Sequence, residues 1–270
     1  MRLNFGGATL PALLLLMLLV GMLLGLPLLW VRRGRPPTVL RRSLRALDAL
    51  RAALHHTAEM GETLHISPGI GTFVQGGRAA ETLAGLEVAS SVAEEAFSLG
   101  VPAIASTNDA LVHIAAHQLL ERAKERAGAP AELEARALWL AQQERMAYAA
   151  GALDLLSRPD VQANVLVGAF DEELLLLLDA GAREVRYQLL GAAAPAGVPF
   201  LPVSGEEFLL GEEIFVAGAY LRPRPGRLAG LAAQDVIRLV LLGLIVVGVV
   251  LVSLGGPGRL LQPLFWMPAP

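Results

Sequence analysis

The 270-residue sequence contains no cysteine, and it contains a single lysine, Lys124, among 22 basic residues. The lack of cysteine excludes disulfide bonds, thiolate metal ligands and cysteine nucleophiles. The basic character therefore comes from arginine, and the arginines concentrate beside long apolar stretches while the formal net charge is −3. We expect no nucleic-acid partner, because membrane flanks explain these arginines better than a nucleic-acid surface does.

Two long apolar stretches lie near the ends of the sequence. Ala8–Val31 carries no charge, and as a helix it would extend roughly 36 Å, enough to cross a hydrocarbon core of about 30 Å. Val236–Leu254 is the second stretch, and Arg238 near its start can reach the lipid headgroups. The alternatives are a cleaved signal peptide for the first stretch and a buried core helix for the second. We predict two transmembrane helices.

Arginines beside these stretches predict the orientation of the chain. Ten flank the middle region, and only Arg2 and Arg259 lie on the opposite sides. Because basic residues favour the cytoplasmic side, we expect the middle region in the cytoplasm, both termini outside, and a bacterial inner membrane as the location. The predicted divisions are an anchor with its basic flank at 1–35, an α/β domain at 36–235, a second membrane helix at 236–254 and a tail at 255–270. The ten flanking arginines, of which the first three are expected at the membrane interface, are Arg32, Arg33, Arg35, Arg41, Arg42, Arg45, Arg51, Arg222, Arg224 and Arg227.

Gly21 and Gly25 have the four-residue spacing that lets two membrane helices approach closely. The partner helix would be the second apolar segment or the same segment of another copy. Glycine is also common in membrane helices that make no such contact, so both interpretations stay open.

Between the apolar stretches, the sequence alternates between strand and helix patterns. Such alternation is typical of a doubly wound α/β domain with a mostly parallel sheet. The last predicted helix, 204–221, opens with a capping-box pattern at Ser204 and Glu207 and is unusually apolar, which suits either core burial or a protein or membrane contact. The predicted strands are 63–67, 101–106, 163–168 and 184–190, with 198–203 as a fifth candidate; the predicted helices are 38–60, 78–99, 109–127, 130–156, 171–179 and 204–221.

Three segments carry a resemblance to a known group of sequences: LHISPGIG at 64–71, GEEIFVAGAYL at 211–221 and AQDVIR at 233–238. With these segments the chain resembles a family of uncharacterised bacterial membrane proteins. The resemblance implies an α/β domain held between membrane helices, and it implies no chemistry.

Polar and glycine residues follow three predicted strands. In doubly wound sheets, ligands bind beyond the carboxyl ends of the strands. Gly69 and Gly71 would permit close approach of the backbone to an anion. A dinucleotide fingerprint would need glycine where Val74 stands, and a phosphate loop would need lysine where Gly77 stands. The candidate ligand-binding residues are Ser67, Gly69, Gly71, Ser106, Thr107, Asn108, Asp109, Gly168 and Asp171.

A polar stripe on the helix that follows the second strand offers weak metal ligands. His113 and His117 are four residues apart, with Asp109 and Glu121 on the same face. Ile114 stands where the H-E-x-x-H pattern of metalloproteases has glutamate. A solvated helix face explains the same spacing. A serine hydrolase based on Ser67 or Ser106 would also need a placed histidine and an acid.

The sequence as a whole favours a two-pass membrane protein whose cytoplasmic domain serves in scaffolding or assembly without catalysis. The alternative is a membrane-tethered sensor of a nucleotide-like or phosphorylated molecule, and a hydrolase or metal-dependent enzyme comes third. The expected partners are the lipid bilayer and either further copies of the chain or a larger membrane complex. No cofactor is implied.

Overall fold

The computed structural model describes residues 10–32, 45–74, 78–142, 144–204 and 208–253. Contacts divide the chain into two units. One comprises Met1–Arg41 with Pro223–Pro270, and the other is Arg42–Arg222.

The unit Arg42–Arg222 contains a six-stranded sheet in the order β3-β2-β1-β4-β5-β6, with every neighbouring pair parallel. This is the strand order of the Rossmann-type sheet, whose order reverses between β1 and β4. The predicted α/β class is confirmed. The strands are β1 Thr63–Gly69, β2 Ala103–Thr107, β3 Ala135–Trp139, β4 Val161–Ala169, β5 Tyr187–Ala192 and β6 Phe208–Leu210. The helices of this unit are α2 Arg45–Met60, α3 Ala79–Ser98, α4 Ala110–Ala127, α5 Arg145–Leu156, α6 Glu173–Glu184 and α7 Glu213–Leu221, with a 3₁₀ helix at Val198–Ser204.

The two faces of the sheet differ in polarity because side chains alternate along each strand. Leu64 and Ile66 of β1 belong to a large apolar cluster that also takes in residues of α2, α3, α4 and α7. On the opposite face of the sheet, residues of α5, α6 and the 3₁₀ helix form a second apolar cluster. On that opposite face β1 presents His65 and Ser67, both essentially fully buried.

The largest correction to the sequence-based prediction lies at 130–156, where one long helix was expected. The segment Ala135–Trp139 is instead the edge strand β3, which pairs with β2, and only Arg145–Leu156 is helical. Alanine, leucine and arginine favour helix locally. Pairing with a buried neighbouring strand overrides that preference here.

Two further predictions are wrong at the C-terminal side of the domain. The candidate strand 198–203 lies in the 3₁₀ helix, and the predicted helix 204–221 is split into β6 and α7. Glu207 of the predicted capping box lies outside the described residues. In α7 most apolar side chains are buried, including Ile214 and Leu221, so core burial accounts for its apolar sequence.

In the part of the other unit that the structure describes, two helices, α1 Leu10–Arg32 and α8 Pro225–Ser253, contact each other. Among the described residues, one helix, Pro225–Val246, is long and apolar enough to cross a membrane, with a mean hydropathy of 1.9. It begins eleven residues earlier than the predicted segment. Met17–Trp30 in α1 is a shorter apolar helical segment. Arg33 and Arg35 lie outside the described residues.

Candidate functional site

The structure brings the three predicted strand ends together. Strands β2, β1 and β4 are neighbours, and their carboxyl ends carry the predicted residues of the candidate site. The reversal of strand order between β1 and β4 lies within this group, where Rossmann-type sheets bind their ligands. The strand order therefore places the carboxyl ends of β2, β1 and β4 side by side, and ligand binding there stays a prediction.

The glycines of this edge face protein atoms. A Cβ on Gly69, whose φ is +87°, would lie 2.1 Å from the Ala169 carbonyl oxygen. A Cβ on Gly71 would lie 2.0 Å from the Thr82 hydroxyl oxygen, and one on Gly168 would lie 2.2 Å from the Pro68 carbonyl oxygen. Because these glycines have no side chains, β1, β4 and α3 pack closely against one another, and the glycines do not face an open ligand site.

A cluster of side-chain ion pairs lies around Asp171, at the same carboxyl end of the sheet. Arg78, at the start of α3, places Nη1 2.5 Å from Asp171 Oδ1 and donates from Nη2 to the Phe170 carbonyl at 2.8 Å. Arg145, the first residue of α5, places Nη1 3.2 Å from Asp171 Oδ2. Glu81 and Glu172 pair with the same two arginines. These contacts tie the beginnings of α3 and α5 to the segment between β4 and α6.

Glu173 extends this cluster inward. Its side chain is fully buried, its Oε1 atom accepts the Asp171 backbone N–H at 2.8 Å, and its Oε2 atom has no hydrogen-bond partner among the described residues. Burial raises the pKa of the Glu173 carboxyl. Carboxylate oxygens of Asp171, Glu172 and Glu173 lie within 4.8 Å of one another. Acids are favourable in the first turn of a helix, which accounts for the grouping at the start of α6.

A chain of buried hydrogen bonds lies beneath this edge, on the polar face of β1. Asn164 Oδ1 lies 2.7 Å from His65 Nδ1, and His65 Nε2 lies 2.8 Å from Ser106 Oγ. Tyr148 of α5 lies over the chain, with its hydroxyl 3.3 Å from Ser106 Oγ and 2.5 Å from Ser67 Oγ. All five side chains are at most 1% exposed.

The direction of these bonds follows from the inventory of donors and acceptors. Ser67 donates its only hydroxyl proton to the Ser106 carbonyl at 3.1 Å and accepts the Gly69 N–H at 3.0 Å. Tyr148 must therefore donate to Ser67. With Asn164 Oδ1 facing His65, the ring carries its proton on Nδ1 and accepts from Ser106 on Nε2.

Burial keeps the titratable members of this network neutral. It lowers the pKa of His65 to about 4, against a smaller opposing effect of the Asn164 hydrogen bond. It also raises the pKa of Tyr148 to about 12, although the polar contacts of its hydroxyl with Ser106 and Ser67 oppose the shift. The network is uncharged at neutral pH, which makes its burial much less costly than that of an ion.

The order amide, imidazole, hydroxyl along Asn164, His65 and Ser106 matches the order of groups in hydrolytic triads. A nucleophile must nevertheless reach its substrate, and the Ser106 side chain is fully buried next to the Tyr148 ring. In this conformation the three groups join β4, β1 and β2, Tyr148 joins α5 to them, and Ser106 has no surface open to a substrate.

The remaining predicted residues hold local structure. Asp109 caps α4 by accepting the backbone N–H groups of Leu111 and Val112 at 3.0 and 3.1 Å. Thr107 donates to the Leu138 carbonyl at 3.2 Å. The His113 ring stacks on Trp139 with 6.5 Å between centroids. Asn108 is buried.

Sequence reasoning missed Arg78, Arg145, Tyr148, Asn164 and Glu173. Asn164 offered a signal, since an amide within an apolar buried strand needs a partner. The others are near helix starts, in surroundings that any soluble helix would share. Their partners lie up to 99 residues away in sequence, and only the sheet order brings them together.

Comparisons with curated proteins and with solved structures found no match. A family model described as a domain of unknown function, DUF6754, matches residues 5–259. Because the match covers nearly the whole sequence, the expected resemblance to an uncharacterised family is confirmed, and the chain belongs to the DUF6754 family.

Proposed function

We propose that this protein is a membrane-held scaffold whose α/β domain assembles with further copies or with a larger membrane complex, without catalysis. The observation that carries the proposal is the exposed apolar surface of α1 and α8. Met17 is 75% exposed and Leu239 is 69% exposed, and every residue from Leu241 to Val246 is exposed. Surfaces of this kind indicate a membrane or a protein contact.

The polar side chains at the carboxyl ends of β1, β2 and β4 support a scaffolding role rather than catalysis. Asp171 is held by two arginines, Asp109 by the backbone of α4, and Ser106 by the buried network. Each of these side chains has a function in the fold that its sequence pattern did not reveal.

Self-association through α1 is the first form of assembly to test. Among the described residues, a Cβ added at Gly21 or Gly25 meets no atom within 4 Å. Gly21 is exposed and Gly25 is half-buried, so the described residues leave room for another helix to approach Gly21. Close packing over small residues is a common mode of association in lipid.

The mass of the 270-residue chain in detergent micelles tests the scaffold proposal. We expect a defined oligomer, and we expect Gly21→Leu with Gly25→Leu to reduce its size because leucine separates the helices. Gly243→Leu on α8, where a Cβ is equally open, is the matched control and should leave the mass unchanged. A monodisperse monomer of the unaltered chain would count against the proposal.

We extend the proposal to location: a bacterial inner membrane crossed by both α1 and α8, with the domain in the cytoplasm. The ten flanking arginines support this orientation. Proteolysis of the domain in inside-out vesicles, with protection in right-side-out vesicles, is the expected result. Protection of the domain in inside-out vesicles would reverse the orientation.

A second candidate function is a sensor of a phosphorylated or nucleotide-like molecule. The specific observation in its favour is that Arg78 and Arg145 flank the Asp171 carboxylate at the reversal of strand order. An anionic ligand would replace that carboxylate. Asp171→Asn should then increase the thermal stabilisation given by inorganic phosphate or ATP, whereas no stabilisation of either protein would dismiss the sensor.

A further inference from the structure

Strand β3 differs from its neighbours in exposure. Every residue of β1 and β2 is buried, whereas no residue of β3 is buried, and Trp139 at its end is 47% exposed. β3 is the first strand in the order of the sheet, so it pairs with β2 on one side and with no described strand on the other. One side of its backbone therefore faces away from the sheet.

The backbone groups of β3 point alternately towards β2 and away from it. The Glu134 carbonyl accepts a backbone N–H of β2 at 3.0 Å, and the Leu140 N–H donates to a backbone carbonyl of β2 at 3.1 Å. The two-residue period of a strand then directs the N–H and C=O groups of Ala135, Ala137 and Trp139 outward. Within the described residues, no hydrogen bond reaches these outward groups.

β3 lacks most of the features that prevent an edge strand from pairing. It contains no proline, and its register with β2 is unbroken. Its one charged side chain, Arg136, pairs with Glu134 at 3.1 Å. Proline, bulges and unpaired charges are the usual obstacles to a further strand, so the edge of β3 is open to one.

A second copy of β3 would satisfy the outward groups completely. Antiparallel pairing about a two-fold axis at Ala137 places Ala137 opposite Ala137 of the other copy, and Ala135 opposite Trp139. Residues paired in this way exchange both of their backbone hydrogen bonds. A register shifted by two residues would place Arg136 opposite Arg136 of the other copy, which is unfavourable for like charges.

We propose that two copies of this chain assemble through β3, which pairs antiparallel with β3 of the other copy and joins the two six-stranded sheets into one. Because both copies use the same surface, the pairing closes as a dimer and needs no other partner. This inference rests on the proposed function, since it names a surface by which further copies of the chain assemble. It does not depend on the contact proposed for α1, because β3 belongs to the unit Arg42–Arg222.

Proline at position 137 tests the pairing in the 270-residue chain in detergent. Ala137→Pro removes an outward N–H and leaves the bonds to β2 in place, so the circular dichroism spectrum should be unchanged while the mass of the oligomer falls at least twofold. Ala137→Ser keeps the N–H and is the matched control, which should leave the mass unchanged. If Ala137→Pro does not fold, Ala135→Pro at the first position of the strand replaces it.

Cysteine cross-linking tests the register, since the native chain has no cysteine. In the proposed dimer Arg136 lies opposite Leu138 of the other copy, at a separation of about 4.5 Å between Cα atoms that a disulfide can join. Coexpressed Arg136→Cys and Leu138→Cys chains should form a covalent dimer at least tenfold faster than either variant alone, whose cysteines would be diagonal to each other.

The outcomes distinguish this inference from the proposed function. An oligomer whose mass is unchanged by proline, or equal cross-linking of the mixture and the single variants, would overturn the pairing of β3 and leave the scaffold proposal in place. A monodisperse monomer of the unaltered chain would overturn both.

Discussion

The α/β unit and the helical unit differ in how much of their apolar side chains they bury. In the α/β unit, Ile66 and Leu166 are almost completely buried, and the polar His65 between the apolar residues of β1 is hydrogen-bonded on both ring nitrogens. In the helical unit, Leu239 and Ile245 are 69% and 59% exposed. The first unit thus has its own buried apolar core, whereas the described part of α8 leaves a contiguous apolar surface exposed, which is typical of a contact with a membrane or a protein.

This difference separates residues that stabilise the fold from residues that determine location. Within the α/β unit a substitution should act through packing or through an unsatisfied hydrogen bond. On the exposed part of α8 a substitution should act through transfer into lipid. The predictions below test that separation, beginning with the largest expected effect.

Removal of core volume should have the largest effect on stability. Ile66→Ala should lower the free energy of unfolding by about 2–5 kcal/mol, because it deletes buried methyl groups and leaves a cavity. Leu239→Ala is the control in α8 and should leave the unfolding of the domain unchanged. Thermal unfolding followed by circular dichroism in detergent measures both, and equal destabilisation by the two would remove the distinction between the units.

Acidification should destabilise the domain through His65. Because the native pKa is about 4 and the ordinary value is 6.5, the unfolded chain binds a proton in that interval while the native chain does not. The free energy of unfolding should therefore fall by about 3 kcal/mol as the pH decreases from 6.5 to 4.

The control for this pH dependence is His65→Gln, since glutamine cannot take up a proton. Glu173, whose pKa is raised, contributes in the opposite direction in both proteins, so the difference between their pH profiles isolates His65. Denaturant unfolding at several pH values gives the two profiles. If both proteins lose stability equally between pH 6.5 and 4, His65 is not buried in its neutral form.

A charge in α8 should impair membrane insertion. Ile245→Arg should cost about 2.5–3.5 kcal/mol in an insertion assay if the position lies near the middle of the bilayer. Ile114→Arg on α4 changes a side chain of nearly equal exposure, 58%. That control should leave insertion unchanged, and equal effects of the two substitutions would argue against a membrane role for α8.

Loss of a single network bond should have the smallest effect. Tyr148→Phe removes the donor to Ser67, so the free energy of unfolding should fall by about 1 kcal/mol. The variant should also lose the part of the wild-type decline in stability between pH 10 and about 12 that comes from Tyr148, because phenylalanine has no proton to release there. Tyr220→Phe is the control, and an identical alkaline profile in all three proteins would contradict the assigned burial of Tyr148.

The strands that could be predicted from the sequence share a physical cause. β1, β2, β4 and β5 are mostly buried and contain apolar residues in a strand pattern bounded by turn residues, so local pattern and tertiary environment agree. β3 could not be predicted, since ARALW has helical preferences and becomes a strand only by pairing with β2. The strand ends of the site were predictable from topology. The hydrogen bonds and ion pairs at these strand ends could not be predicted, because they join residues from different helices and strands.

Cysteine labelling tests most directly whether α8 lies in lipid, since the native chain has no cysteine. Leu244→Cys in α8 and Leu111→Cys in α4 replace leucines that are 48% and 50% exposed. In open membrane fragments, a water-soluble maleimide should label the Leu111→Cys protein rapidly and the Leu244→Cys protein only after detergent is added. Equally rapid labelling of both proteins in intact fragments would contradict the membrane-held scaffold.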